Sequence, residues 1–315
     1  MTEKLSTREA YGNALLELGR RDERIVVLDA DLSKSTKSEL FAQEFPTRFF
    51  NLGISEADMI GMAAGLASSG FIPFASTFGV FATGRVYDQI RLSVAYSGLN
   101  VKIVASHTGI TVGEDGASHQ TLEDIGLMRI LPEMVVLAPA DAVQTQHAVE
   151  AIARYNGPVY MRLGRPKFPV VIEQNSSFEL GRGQLLKDGT DVTFVAAGLM
   201  VSTALEAVAA LQEENIDAAV VNMHTIKPLD EELLYKMAWK TGALVTAEEH
   251  SIIGGLGGAV AEFAVENFPV PIERVGVRDT FGESGSPDDL LEKYGLTSSH
   301  LVSAAKKAVL RKSRG

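Results

Sequence analysis

Two histidines, three glycines and four carboxylates fall between Ser106 and Asp124, directly after the apolar run Val101 to Ala105. His107 and His119 are too far apart in sequence to share one helix face. The turn Gly113-Glu114-Asp115-Gly116 lies between them, and its two acids read equally as turn residues or as ligands to a substrate. Imidazole changes charge near neutral pH, so two of the chain's six histidines in one glycine-rich loop point to proton transfer on a bound molecule. No third side chain stands at metal-ligand spacing from them, and the sequence predicts no metal site here.

Glu56 follows the run Phe49-Phe50-Asn51-Leu52 and opens a helix rich in small residues. One reading is a first-turn carboxylate that favours the helix dipole. The other is a buried carboxylate among Gly53, Ile54 and Met59, with a pKa raised by burial, able to exchange a proton with a ring nitrogen. Phe78 and Phe81 stand three apart, as a core stripe on a helix or as a flat platform for a heterocycle. Arg8, Ser35, Arg162 and Arg165 are surface residues or an anion grip, for which the arginine fork is suited. Glu248-Glu249-His250 precedes the glycine-rich turn Gly254 to Gly258, whose spacing does not match a dinucleotide fingerprint and which reads as a packing or subunit-contact turn.

The elements that must position these groups alternate. Helical spacing runs over 6–20, with Ser6 or Thr7 as cap, then over 59–68 with Ser55 as cap, on from Ser76 through Ile90, and over 141–155. The short apolar run at 25–28 predicts a strand buried on both faces, and further strands are predicted at 49–52, 71–76, 101–105, 134–138 and 159–163. A second series has strands at 192–196, 218–221, 243–246 and 272–275, with helices at 204–211, 231–239, 259–265 and 299–310. The sequence therefore predicts α/β architecture, two consecutive three-layer domains with parallel sheets, over 1–170 and 190–315. Residues 171–189 form the linker, and the proline- and glycine-bearing stretch around it, 164–190, leaves room for a hairpin.

Composition narrows the function. The chain has 315 residues and a net charge of -11, which does not suit a phosphate backbone, so nucleic acid is not an expected partner. It has no cysteine, which excludes disulfides and thiol catalysis. Neither a secretory signal nor a run of about 18 apolar residues is present, so no membrane role is expected and the cytoplasm is the expected compartment.

Three segments, Gly53-Ile54-Ser55-Glu56, Ser76-Thr77-Phe78 and Gly113-Glu114-Asp115-Gly116-Ala117-Ser118-His119-Gln120, resemble the C-terminal half of transketolase. That half is a pyrimidine-binding domain followed by a C-terminal domain. The resemblance spans essentially the whole chain, and the octapeptide is its most specific part. It implies thiamine diphosphate as cofactor, with Glu56 bonded to N1' of the aminopyrimidine and promoting the imino tautomer that deprotonates the thiazolium. Phe78 and Phe81 would cradle the pyrimidine, and Gly84 stands where a further aromatic is common. His107 would contact the sugar, His119 would assist proton transfer at the reacting hydroxyl, and Asp115 would bind another hydroxyl. Arg8, Ser35 and Arg165 would hold the sugar phosphate, and Asp31 would lie near the cofactor at a subunit contact.

The Gly-Asp-Gly that holds the diphosphate in full-length transketolases does not occur in this sequence. The resemblance thus implies one subunit of a split enzyme. An N-terminal transketolase subunit would hold the diphosphate and its Mg²⁺ or Ca²⁺, and this chain would form the homodimeric core. The expected activity is transfer of a two-carbon ketol unit from a ketose phosphate to an aldose phosphate. Alternatives are the β subunit of a 2-oxoacid dehydrogenase decarboxylating component, a 1-deoxyxylulose-5-phosphate synthase-like half and, from another class, a non-catalytic stabilising subunit.

Overall fold

The structure, a computed structural model, describes residues 3–313. The strands of its first half are β1 (Lys4–Ser6), β2 (Ile25–Asp29), β3 (Phe49–Asn51), β4 (Ile72–Phe78), β5 (Lys102–Ser106), β6 (Val135–Leu137), β7 (Val159–Arg162) and β8 (Lys167–Pro169). Those of the second half are β9 (Gln184–Lys187), β10 (Val192–Ala196), β11 (Ala218–Asn222), β12 (Thr225–Lys227), β13 (Leu244–Ser251) and β14 (Ile272–Val277). One sheet has the order β12-β6-β7-β5-β4-β2-β3, parallel except at β12. The other has the order β14-β13-β10-β11-β9, parallel except at β9.

The continuous apolar runs have a direct cause. Leu28, Ala75 and Ile103 enter one core cluster, while their neighbours Val27, Phe74 and Val104 enter another on the opposite face. Both faces of the first sheet are therefore covered, as a parallel sheet requires. The first of those clusters runs on into Val195, Val221 and Met223 of the second sheet, so the two α/β units share a core.

Several local expectations change. Ser6 caps the helix Thr7–Arg21 by accepting from the Glu9 amide at 3.3 Å. Ser55 makes no side-chain cap for the helix Glu56–Ser68, because its backbone sits at φ -144°, ψ 65°, away from the extended geometry that aims a hydroxyl at the first turn. The helix expected to continue through Ile90 is broken into Gly79–Thr83, a turn at Gly84, Tyr87–Gln89 and a π-helical stretch Ile90–Ala95. The hairpin does not form: β8 pairs with β1 and β9 with β11, because each finds an unpaired edge nearby. β12 leaves its own sheet and pairs antiparallel with β6.

A buried polar network crosses between the units. The guanidinium of Arg162, at the end of β7, donates to Asp124 Oδ2 at 2.8 Å and to the carbonyl of Glu249 on β13 at 3.2 Å. The Tyr160 hydroxyl donates to the same Asp124 oxygen at 2.7 Å. The Glu249 carboxylate accepts from the Thr111 amide at 2.7 Å. Next to it, Glu248 accepts from the amides of Leu256 and Gly257, both at 2.7 Å, and so closes the start of the helix Leu256–Asn267. The glycine-rich turn is thus a seat for an internal carboxylate: an added Cβ at Gly255 would lie 2.0 Å from Glu248. Asp124 and Arg162 are both buried, so removing one leaves the other charge uncompensated in low dielectric. Arg162→Ala is expected to lower unfolding free energy by about 3–5 kcal/mol in chemical denaturation; a loss below about 1 kcal/mol, typical of exposed pairs, would contradict this account.

Candidate active site

The candidate residues gather where the parallel strands of the first sheet end, the usual place for a ligand in an α/β fold. β4 delivers Ser76, Thr77 and Phe78, then turns into a short helix bearing Phe81. β5 ends at Ser106, and His107 follows with φ 54°. This backbone is uncommon for a non-glycine residue, and it lays the imidazole over Phe78 with ring centroids 3.8 Å apart and planes 25° apart. Phe78 and Phe81 are stacked at 6.1 Å and 13°, and His119 meets Phe81 edge-on at 5.5 Å. A ladder of His107, Phe78, Phe81 and His119 results from residues that are far apart in sequence.

Glu56 opens its helix with a side chain only 3% exposed, so the carboxylate is buried. Its surroundings are less apolar than the sequence suggested. Arg85 Nη1 contacts both carboxylate oxygens, at 2.9 and 3.0 Å, and the Arg85 guanidinium lies 4.3 Å from the Phe81 ring centroid. Sequence reasoning missed Arg85. Gly84 is exposed beside it, so that side of the aromatic cradle is covered by a cation.

Arg8, Ser35 and Arg165 also converge. Arg8 donates to the Ser35 carbonyl at 2.7 Å and to the Arg165 carbonyl at 2.9 Å. Arg165 donates to the Val112 carbonyl at 2.5 Å and to Glu114 at 2.8 Å. Arg8 keeps its positive charge unneutralised by these bonds, whereas Arg165 is shared with Glu114. Arg162, the third arginine considered, is buried in the interdomain network instead.

The histidine loop is held from both sides. Gly109 sits at φ 80°, and an added Cβ would stand 2.3 Å from the Glu249 carboxylate that fixes the Thr111 amide. Gln120 donates to the carbonyls of Ile110, Gly113 and, across the unit boundary, Glu283. Asp115 ends a 3₁₀ stretch, Ile110–Asp115, and is exposed. Asp31 is exposed at φ 64°, with its backbone amide bonded to Asn51 Oδ1 at 3.1 Å. Beneath it, burial raises the Asp29 carboxyl to about 6 against bonds from Thr36, Leu32 and Ser38.

Electrostatics separate the two histidines' settings. His107 is buried, and burial, then Arg8, Arg165 and His119, lowers it from 6.5 to about 3. It is a neutral hydrogen-bonding group at physiological pH, with Nδ1 2.9 Å from Ser106 Oγ. His119 is half-buried, with Nδ1 2.9 Å from Ser118 Oγ. Among the described residues no group of three or more histidine, aspartate or glutamate side chains could hold a metal. A cavity of about 870 Å³, lined by Arg129, Ile226, Glu262 and Phe263, includes none of these residues, so volume does not mark the site.

A buried carboxylate beside an aromatic shelf, with imidazoles and arginines around it at the strand ends, offers an acid and an apolar face to a flat heterocycle and positive charge to an anion. Comparison with known proteins makes this specific: the chain belongs to the transketolase family, matching its pyrimidine-binding domain over residues 3–170 and its C-terminal domain over residues 181–301. It is 49% identical over 306 residues to a 6-deoxy-6-sulfo-D-fructose transketolase subunit of Clostridium sp. (strain MSTE9), covering 97% of this chain and 95% of that one. It is 38% identical to the transketolase of Rattus norvegicus, covering 98% of this chain but 50% of the rat protein. Its fold is similar to that of a solved split-gene transketolase, an inactive beta4 tetramer, with TM-score 0.92, 56% identity and coverage of 98% and 99%. The family uses thiamine diphosphate.

The lowered pKa of His107 has a measurable sign. The folded chain keeps the ring neutral while the unfolded chain takes up a proton near 6.5, so stability is lost as pH falls from 6.5 toward 3. In NMR titration, the His107 Cε1–H resonance is expected to stay unchanged between about pH 8 and about pH 5. A midpoint near the unperturbed value would show that the ring is more solvated than its stacking on Phe78 implies.

Proposed function

We propose that this chain is the C-terminal subunit of a split, thiamine diphosphate-dependent transketolase. It transfers a two-carbon ketol unit from a ketose phosphate to an aldose phosphate. The observation that carries the reading is Glu56: a carboxylate 3% exposed that opens a helix beside the Phe78–Phe81 shelf and the two imidazoles. The shelf and the acid fit a planar heterocycle with a basic ring nitrogen. They do not fit the anionic tail of such a cofactor, which needs a cation or several donors. An N-terminal subunit supplies that site, with Mg²⁺ or Ca²⁺, in this reading. Two relatives support it, since this chain covers 95% and 96% of their length and both are described as transketolase subunits, while the rat enzyme extends to about twice the matched length.

Bound here, the cofactor supplies a nucleophilic carbon and an electron sink. Glu56 holds a proton at the pyrimidine N1' position. Phe78 and Phe81 present apolar faces to the ring and exclude water from it. Neutral His107 bonds a substrate hydroxyl without adding charge, and His119, more exposed, gives and takes the proton at the reacting hydroxyl. Asp115 accepts from another hydroxyl. Arg8 and Arg165, with Ser35, hold the terminal phosphate, and Asp31 faces the subunit contact near the cofactor.

Self-association belongs to the same reading, and the beta4 assembly of the split-gene relative supports it. A cytoplasmic setting fits the cysteine-free composition, and no described helix is long and apolar enough to cross a membrane. Relatives described as acting on apulose 4-phosphate and on 6-deoxy-6-sulfo-D-fructose leave the sugar open. In the complex with the N-terminal subunit, Glu56→Ala is expected to reduce ketol transfer from xylulose 5-phosphate to ribose 5-phosphate by at least about 10³-fold, while circular dichroism of the chain is unchanged. Turnover within about tenfold of wild type would exclude the proposed role.

A further inference from the structure

Arg85 touches both groups that a pyrimidine would need. Its Nη1 lies 2.9 and 3.0 Å from the two oxygens of Glu56, and its guanidinium carbon lies 4.3 Å from the Phe81 centroid. A guanidinium is flat, delocalised and cationic, and it favours an ionised carboxylate and an aromatic face together. An aminopyrimidine seeks the same two partners, with one edge on the carboxylate and one face on the ring. A pyrimidine that takes the same carboxylate edge and the same ring face meets the guanidinium there.

The arginine is well placed to leave. Its side chain is 49% exposed against 3% for Glu56, so the ion pair is anchored at one end and open at the other. Gly84 before it is exposed and carries no side chain to hinder a swing, and the nearest atom to an added Cβ there is the Val80 carbonyl oxygen at 3.4 Å. The helix is interrupted at this position, between Gly79–Thr83 and Tyr87–Gln89. Elsewhere, the buried cations Lys102 and Arg162 donate to backbone carbonyls and, for Arg162, to Asp124, which fixes them as structural groups.

We propose that Arg85 is a placeholder for the pyrimidine ring: it closes the Glu56–Phe81 slot and must swing out before the cofactor can reach Glu56. The proposal rests on the thiamine diphosphate reading above. Its consequence is a reduced apparent affinity, because a ligand that needs the open slot sees only the fraction of molecules in which it is open. If about one molecule in ten has the slot open, removing the arginine tightens binding about tenfold.

The test is thiamine diphosphate binding to the complex with the N-terminal subunit, by calorimetry for affinity and stopped-flow fluorescence for association rate. Arg85→Ala is expected to bind several-fold tighter and associate faster, and Arg85→Lys, which keeps the charge but loses the plane, to fall between it and wild type. Unchanged or weaker binding by Arg85→Ala overturns the placeholder. A crystal structure of the cofactor-loaded wild-type complex gives an independent answer: a guanidinium displaced from Phe81 supports the proposal, and one still seated between Glu56 and Phe81 overturns it. If neither wild type nor variant binds thiamine diphosphate, the functional reading fails and takes the placeholder with it; if wild type binds and the variant is unchanged, only the placeholder fails.

Discussion

A guanidinium enclosed between a carboxylate and a strand carbonyl underlies the arrangement of this molecule. Arg162 bonds Asp124 Oδ2 from one unit and the Glu249 carbonyl from the other, and all three residues are buried. Burying such charges is unfavourable unless each finds partners, so the geometry tolerates little drift. Glu249 then passes the constraint on, since its side chain fixes the Thr111 amide at the start of the histidine loop. The second α/β unit, which contributes none of the proposed catalytic groups, thereby sets where that loop stands. Gly109 makes the coupling close, because its left-handed backbone and missing Cβ let the Glu249 carboxylate lie directly against the loop.

The site itself joins a rigid ladder to polar groups at its margins. His107 stacks closely on Phe78, and enclosure by protein with two arginines nearby keeps its imidazole uncharged. Arg8 holds its neighbours through carbonyl groups, which orient the guanidinium without cancelling it. Arg165 has a carboxylate partner, so the phosphate proposed to bind there would compete with Glu114. The same cluster is thus part cradle and part internal ion pair.

Much of this was legible in the amino-acid order. Buried parallel strands announce themselves by unbroken apolar runs, and Ile25 to Leu28 and Ala218 to Val221 did so because both their faces are covered. Glu56, Phe78 and the Gly113–Gln120 loop could be named because residue type and family pattern coincide there. Arg85 could not, since it sits in a polar stretch, Thr83-Gly84-Arg85, and meets Glu56 only when β4 and the helix Glu56–Ser68 come together. The Asp124–Arg162–Glu249 network was hidden for the same reason: its members are ordinary in their local windows and acquire meaning through contacts across long stretches of chain. β12 was missed because three residues carry too little periodicity to register as a strand.

That short strand affects how the polypeptide is made. Six of the first sheet's strands are complete by Arg162, but the edge of β6 stays bare until Thr225–Lys227 arrive. During vectorial synthesis the nascent amino-terminal half leaves the ribosome with an open β-edge, the kind of surface that invites pairing with a stranger. The later half therefore covers an edge that the earlier one leaves bare. Detaching one from the other would leave that sheet margin open to pairing with another chain.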